Sequence, residues 1–316
     1  MFVKNLELRK RFCKDNNIPI KIFEEPYFSD RLALYHRYYN TQPAQIQFEE
    51  VYNGLENEQQ YFEMYNKLKD DMINYLNSSP EMLYFSKEED FSKYEITHKN
   101  LSKNSIYKPT NSGHRFVSLD MKSANFTALR HYNPNIVKNK TSYEDFVKEF
   151  TDIDYFAQSK YIRQVIFGNI NPSRQITYEK FLMDSVIFEL EKIISVEDIV
   201  SFMSDEIVFC VDKYSDEELN NLVNIIKEII NDFLNKGITL KLEIFELFNV
   251  PSTEGYIKKM LPVNGNTEWV FKGFNSIELP FVLRKYYNEA VKDTDLVFLY
   301  EGRLARLLEP IEIKFY

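Results

Sequence analysis

Apolar positions along this chain alternate between helical and strand periods. From 59 to 76, Tyr61, Phe62, Tyr65, Leu68, Met72, Tyr75 and Leu76 recur at helical spacing between charged positions, predicting an amphipathic helix with its aromatic stripe on a core. Residues 1–95 read as largely helical, broken at Pro19, Pro26 and Pro43. Residues 99–113 are rich in Ser, Asn and Lys and contain Pro109, the composition of a loop. A strand is predicted over 115–119, then a helix over 123–132 that Pro134 stops. A short helix over 143–150 is opened by Thr141-Ser142, with Glu144 and Asp145 in its first turn. Another over 154–167 ends at Gly168, and a longer one covers 173–194.

Strands over 199–203 and 207–211 flank Ser204-Asp205-Glu206 as a tight hairpin. A helix over 216–235 carries Leu219, Leu222, Val223, Ile226, Ile229, Ile230 and Phe233 on one face and stops at Gly237. A strand over 238–248 follows, then a hairpin of 255–260 and 268–272 across Asn264-Gly265-Asn266, then a helix over 280–291. The order strand, helices, hairpin, helix, strand predicts an α+β chain in which a small antiparallel sheet is backed by helices.

With 316 residues, 44% of them hydrophobic, the chain is long enough for a sizeable core and too apolar for disorder. No apolar run reaches membrane-spanning length, and the start lacks a secretory signal pattern. The two cysteines, Cys13 and Cys210, fit neither a disulfide framework nor a zinc site. The expectation is a reduced, cytoplasmic protein with no membrane partner, and the many Asn, Ile and Lys residues suggest an AT-rich genome such as that of a phage, virus or low-GC bacterium.

A formal net charge of −9 argues against coating nucleic acid, yet the charge is uneven. Between 96 and 142 the cations are Lys99, Lys103, Lys108, Arg115, Lys122, Arg130, Lys138 and Lys140, against Asp120 alone. His98, His114 and His131 fall there too. Lys160, Arg163 and Arg174 follow with no acid between 158 and 174. Cations gathered around one lone aspartate point to phosphate binding.

That aspartate ends the strand Phe116-Val117-Ser118-Leu119-Asp120, and the acidic pair Asp205-Glu206 interrupts an otherwise apolar hairpin. Carboxylates are costly to desolvate without a cation or hydrogen bonds. Two strand-borne aspartates that meet over divalent metal are the minimum equipment for two-metal phosphoryl transfer. Lys160 and Arg163, three residues apart on one predicted helix, are placed to reach phosphates from the other side.

Met203-Ser204-Asp205-Glu206-Ile207-Val208-Phe209 resembles motif C of family A nucleic-acid polymerases. Leu119-Asp120-Met121-Lys122-Ser123-Ala124-Asn125-Phe126 is similar to motif A of polymerase palms, and its spacing also resembles reverse transcriptases. Arg163-Gln164-Val165-Ile166-Phe167-Gly168 resembles the end of the family A finger helix, with Arg163 where that family has a lysine. The motifs keep the order A, B, C over 116–211. Ser204 stands where the family has histidine, and the short A-to-C spacing implies reduced fingers. The hairpin with Lys258, Lys259 and Lys272 loosely resembles a primer-gripping hairpin.

The resemblance implies a palm at 113–250 with a short helical fingers insertion at about 133–195. It leaves a mainly helical region at 1–112, thumb-like or partner-binding, and a C-terminal hairpin and helix at 251–316. Asp120 and Asp205 are the expected ligands of two Mg²⁺ or Mn²⁺ ions, with Glu206 beside them as a third catalytic acid. Lys122, Asn125, Lys160, Arg163, Phe167 and Arg174 are the expected nucleotide-binding residues. Arg115, Arg130, Lys258, Lys259 and Lys272 are expected on nucleic acid. The implied partners are nucleoside triphosphates and a primer, with or without template, and a protein docking on the N-terminal region. Asn125, small and able both to donate and to accept, implies tolerance of the ribose 2′-hydroxyl. A two-metal nuclease and a non-catalytic phage accessory protein with a degenerate palm are the alternatives.

Overall fold

The computed structural model describes residues 3–261 and 268–315, so the turn expected at Asn264-Gly265-Asn266 lies outside the described residues. The strands are β1 (His114–Met121), β2 (Ile199–Phe202), β3 (Glu206–Cys210), β4 (Leu240–Asn249), β5 (Tyr256–Met260), β6 (Trp269–Lys272), β7 (Val297–Tyr300) and β8 (Arg303–Arg306). β1–β6 form one antiparallel sheet in the order β2-β3-β1-β4-β5-β6, and β7-β8 form a separate hairpin. The chain is therefore α+β, with the C-terminal hairpin β5-β6 continuing the central sheet.

Side chains alternate across a strand, and the two faces of this sheet differ. Val117, Leu119 and Met121 of β1, Ile207 and Phe209 of β3 and Ile244 of β4 are buried in the main apolar core. Helices α6 (Ala124–Tyr132), α10 (Pro172–Leu190) and α11 (Asp216–Asn235) contribute to that core. On the opposite face, Phe116, Val208, Phe245 and Leu247 make a small second cluster under Ile106 and Tyr107. The loop of 99–113 thus covers one end of this face only. Beyond it the same face turns polar, with Ser118, Asp120, Glu206, Lys241 and Glu243 in register.

The N-terminal helices are α1 (Leu6–Asp15), α2 (Tyr27–Tyr39), α3 (Gln42–Asn53), α4 (Glu58–Ser78) and α5 (Pro80–Leu83). They pack directly on the expected fingers, α1 and α4 against α9 (Lys160–Gly168), and α3 against α8 (Asp154–Gln158). One apolar core runs from Leu8 to Ile313, so the three expected segments share it.

Several elements differ from the sequence expectation. The helix expected over 154–167 is two, because Ser159 is extended and its hydroxyl caps the Ile162 N–H at 3.2 Å. The helix expected over 143–150 is the five residues of α7 (Tyr143–Val147). α12 (Leu279–Tyr286) ends early, and Asn288 turns left-handed at φ 53°. The hairpin β7-β8 was not anticipated; Glu301-Gly302 makes its turn with positive φ at both residues.

The covering loop is fastened to α10 by His98. Its Nδ1 lies 2.8 Å from Asp184 Oδ1 and its Nε2 2.5 Å from Glu191 Oε1, while Asp184 also accepts the Thr97 and His98 backbone N–H groups. An imidazole donates to two carboxylates only when both nitrogens are protonated. Burial alone would lower the His98 pKa, but the two carboxylates raise it on balance. Its contribution is full below the unfolded value and is lost as pH rises through the folded one. Urea unfolding should show stability falling from pH 6 to 8, and His98→Gln should remove that slope and cost about 1–2 kcal/mol at pH 6. An unchanged slope in the variant would sink this assignment.

Candidate active site

Asp120 sits near the end of β1, directly opposite Glu206 on β3 and Lys241 on β4. Asp205 occupies the turn between β2 and β3, and its carbonyl accepts the Met121 N–H at 2.8 Å. Both expected aspartates are half-buried and held by the same pair of strands. Like charges directly opposite each other destabilise a sheet, so the Asp120–Glu206 pairing costs the fold free energy. Burial, then Asp205, Glu206 and Glu243, push the Asp120 carboxyl up to about 6, with Lys241 opposing.

Glu206 is partly satisfied within the sheet, since the Ser118 hydroxyl donates to its Oε1 at 2.6 Å. Glu243 lies on the same face. Burial alone would raise it, but Lys258 and Lys241 hold it down to about 2. Lys258 is 3% exposed, pairs with Glu243 and lies 3.9 Å from the Phe245 ring.

A further acid joins the site from α10. Glu179 is 3% exposed, and burial followed by Asp205 pushes its carboxyl up to about 7. Asn125 on α6 offsets part of this by donating to Glu179 Oε1 at 2.9 Å. Sequence reasoning missed Glu179, although Gln175, Tyr178, Leu182, Met183 and Val186 mark its position as the buried stripe of α10. An acid on that stripe was the available signal.

Arg163 is brought to the loop after Asp120. Its Nη1 donates to Ser123 Oγ at 2.7 Å, its guanidinium lies 5.5 Å from the Tyr143 ring centroid, and Ser123 itself is left-handed at φ 49°. Lys122 projects exposed from the same loop, whose backbone is pinned by the Lys122 N–H to Thr239 O bond of 2.9 Å. Lys272 ends β6 near Glu206 and Glu243; burial, then Lys258, lowers its ammonium pKa, and Lys160 adds to the effect. Lys160 opens α9 and is exposed.

The remaining expected residues serve other contacts. Phe167 is 1% exposed and packs near Tyr143, so no ring face is open to a base. Arg174 donates to Phe85 O and Glu89 O at 2.7 and 3.0 Å, which fastens α10 to the end of the N-terminal region rather than to a nucleotide. Arg115 is pinned to Asp216 and Tyr214 O at the start of α11, toward the other end of β1. Arg130 reaches Gly237 O at 3.3 Å. Lys258 is buried in its ion pair rather than presented to nucleic acid. Lys259 lies on the opposite sheet face from Lys258, beside Trp269 and Lys314.

Among the described residues, the one group of three metal-ligand side chains with ligand atoms all within 4.8 Å is His114, Cys210 and Asp212. The acids at Asp120 are not drawn that close. Asp212 is committed, with its Oδ1 accepting the Arg115 N–H at 2.7 Å and its Oδ2 paired to His114 Nδ1. Burial pushes the Cys210 thiol up, away from the thiolate that binds metal. Among the described residues, no helix is long and apolar enough to cross a membrane. No protein-family model matches this chain, and no curated protein is significantly similar to it.

Proposed function

We propose that this chain is a nucleotidyltransferase with a palm-like sheet, adding nucleotides to a 3′-hydroxyl by two-metal phosphoryl transfer. The observation that carries the reading is the placing of Asp120 and Asp205 at one end of a paired β1-β3 unit, with repulsion among the acids only partly offset by Lys241. The hard oxygen donors of Asp120 and Asp205 suit Mg²⁺ or Mn²⁺, and the excess negative charge fits a site that receives a cation. When bound, such ions lower the pKa of an attacking hydroxyl and shield the developing charge on phosphate.

The protein's own groups position the reactants. Arg163, held by Ser123 and Tyr143, and the exposed Lys122 flank the loop after Asp120 and bind triphosphate oxygens. Glu206, tied to Ser118, orients rather than ligates. Asn125, braced by Glu179, faces the ribose and leaves room for the 2′-hydroxyl. Deoxy- and ribonucleotides should therefore be incorporated within about tenfold of each other, since one polar contact is worth about 1 kcal/mol. Competition between the two nucleotide classes measures the ratio. A preference of several orders of magnitude for deoxynucleotides, unchanged in Asn125→Ala, would refute that role.

Glu179 favours a second reading. It enlarges the acidic group beyond the three acids expected, as suits a two-metal nuclease using the same carboxylates for hydrolysis. End-labelled primer incubated with nucleotides and Mg²⁺ or Mn²⁺ separates the two. Lengthening supports the proposal; shortening supports the nuclease.

A further inference from the structure

A cleft of about 660 Å³ lies between α1, the segment of 17–23 and the start of α9. Its charge is opposite to that of the whole chain. Lys10, Arg11, Lys14, Lys21 and Lys160 line it, against the single acid Glu7, in a chain of net charge −9. Glu7 is taken up by Lys10 at 2.7 Å. Arg11 forms the wall, fixed by Asp15 at 2.8 Å and lying 3.6 Å from the Tyr65 ring. Lys14, Lys21 and Lys160 are exposed and have no acid within ion-pair distance among the described residues. Many other lysines of this protein are paired to a nearby carboxylate, as Lys67, Lys99, Lys140 and Lys213 are. Like charges left unpaired around one cleft repel each other until an anion enters.

The cleft also leads to the candidate site. It shares Asn17 and Pro19 with an adjoining cavity of about 470 Å³ whose charged lining is Lys272 and Glu268. Lys272 projects from the sheet face that carries Glu206 and Glu243. A chain of cations therefore runs from Lys21 past Lys160 and Lys272 to the acidic face of the sheet. Tyr161 stands among them, 4.7 Å from the Arg11 guanidinium and 5.7 Å from Lys14 Nζ, and Phe23 and Phe62 supply apolar lining. Positive charge following a groove with aromatic side chains between is how single strands are held without sequence preference.

We infer that this cleft binds single-stranded nucleic acid through its phosphates and leads one strand to the acidic site. The inference deepens the nucleotidyl-transfer reading and rests on it for the strand's destination. A cleft of this size takes nucleotides of one strand rather than the cross-section of a duplex.

The test is fluorescence anisotropy of a labelled oligo(dT) 12-mer with the full chain, across a salt series. Lys14→Glu/Lys21→Glu should weaken binding at least tenfold and reduce the slope of log K against log salt by about 1.4, two single-strand phosphate contacts. Both side chains are exposed, and the milder Lys14→Gln/Lys21→Gln pair should show the same loss of slope. Lys227→Glu/Lys236→Glu, exposed at α11 and just beyond its end, should bind as the parent does. Unchanged affinity and slope in both cleft pairs, or an equal loss in the α11 pair, overturns the inference. Asp120→Asn should keep the parent's affinity while losing incorporation. A parent that binds through the cleft but incorporates nothing sinks the proposed function and leaves the cleft standing. Incorporation by a parent whose binding ignores Lys14 and Lys21 sinks the cleft alone.

Discussion

Asp120→Asn and Asp205→Asn should each lower nucleotide incorporation by about a thousandfold or more while making the metal-free protein more stable. Positioned metal contributes several kcal/mol of charge stabilisation to phosphoryl transfer, and about 4 kcal/mol is a thousandfold in rate. The stability change has the opposite sign. Asp120 faces Glu206 directly across β1 and β3, and removing one of two like charges in that arrangement returns up to about 1 kcal/mol. Added Mn²⁺ should raise the unfolding temperature of the parent, because a ligand that binds only the folded state stabilises it. Neither variant should respond comparably. Retained incorporation in both variants, or an identical Mn²⁺ response, would show that the two aspartates do not form the metal site.

Glu243→Ala should cost about 3–5 kcal/mol, a loss for stability larger than any expected from the catalytic aspartates. Lys258 is 3% exposed and its ammonium is held by Glu243. Taking away the carboxylate leaves a charge that water cannot reach, and breaking such a pair from one side carries that penalty. Lys241, the other partner of Glu243, is itself exposed and simply returns to solvent. Replacing both members by apolar residues of similar volume, Glu243→Leu with Lys258→Met, should recover most of the loss. The check is the urea midpoint at constant slope. A single substitution costing under about 1 kcal/mol would mean that Lys258 finds another partner or reaches water.

The acidic turn and the strand ending in Asp120 were legible because they break a pattern. Carboxylates interrupt runs such as Ile207-Val208-Phe209, and nothing local explains them. α11 was legible because its apolar face and its Ser215–Glu218 capping box agree. Glu179 escaped because a carboxylate on the buried stripe of a helix is visible only once that stripe is drawn and the acid's lack of a cation is noticed. Arg174 and Arg115 show the converse limit of sequence. Both are cations near the expected site in sequence, but each guanidinium is turned to backbone carbonyls or an acid on a neighbouring element. The break at Ser159 depends on a cap and on Asp15, 144 positions away, which no local window contains. The basic cleft joins α1 to α9 across the same distance, so its cations read as ordinary surface lysines until the fold brings them together.

The central claim is the transfer of a nucleotidyl group to a 3′-hydroxyl, and pyrophosphate release measured alongside primer extension tests it most directly. The account predicts one pyrophosphate for each nucleotide added in Mg²⁺ or Mn²⁺, and none when the primer ends in a 3′-deoxy residue. Orthophosphate or nucleotide release without extension, or shortening of the primer, would contradict it.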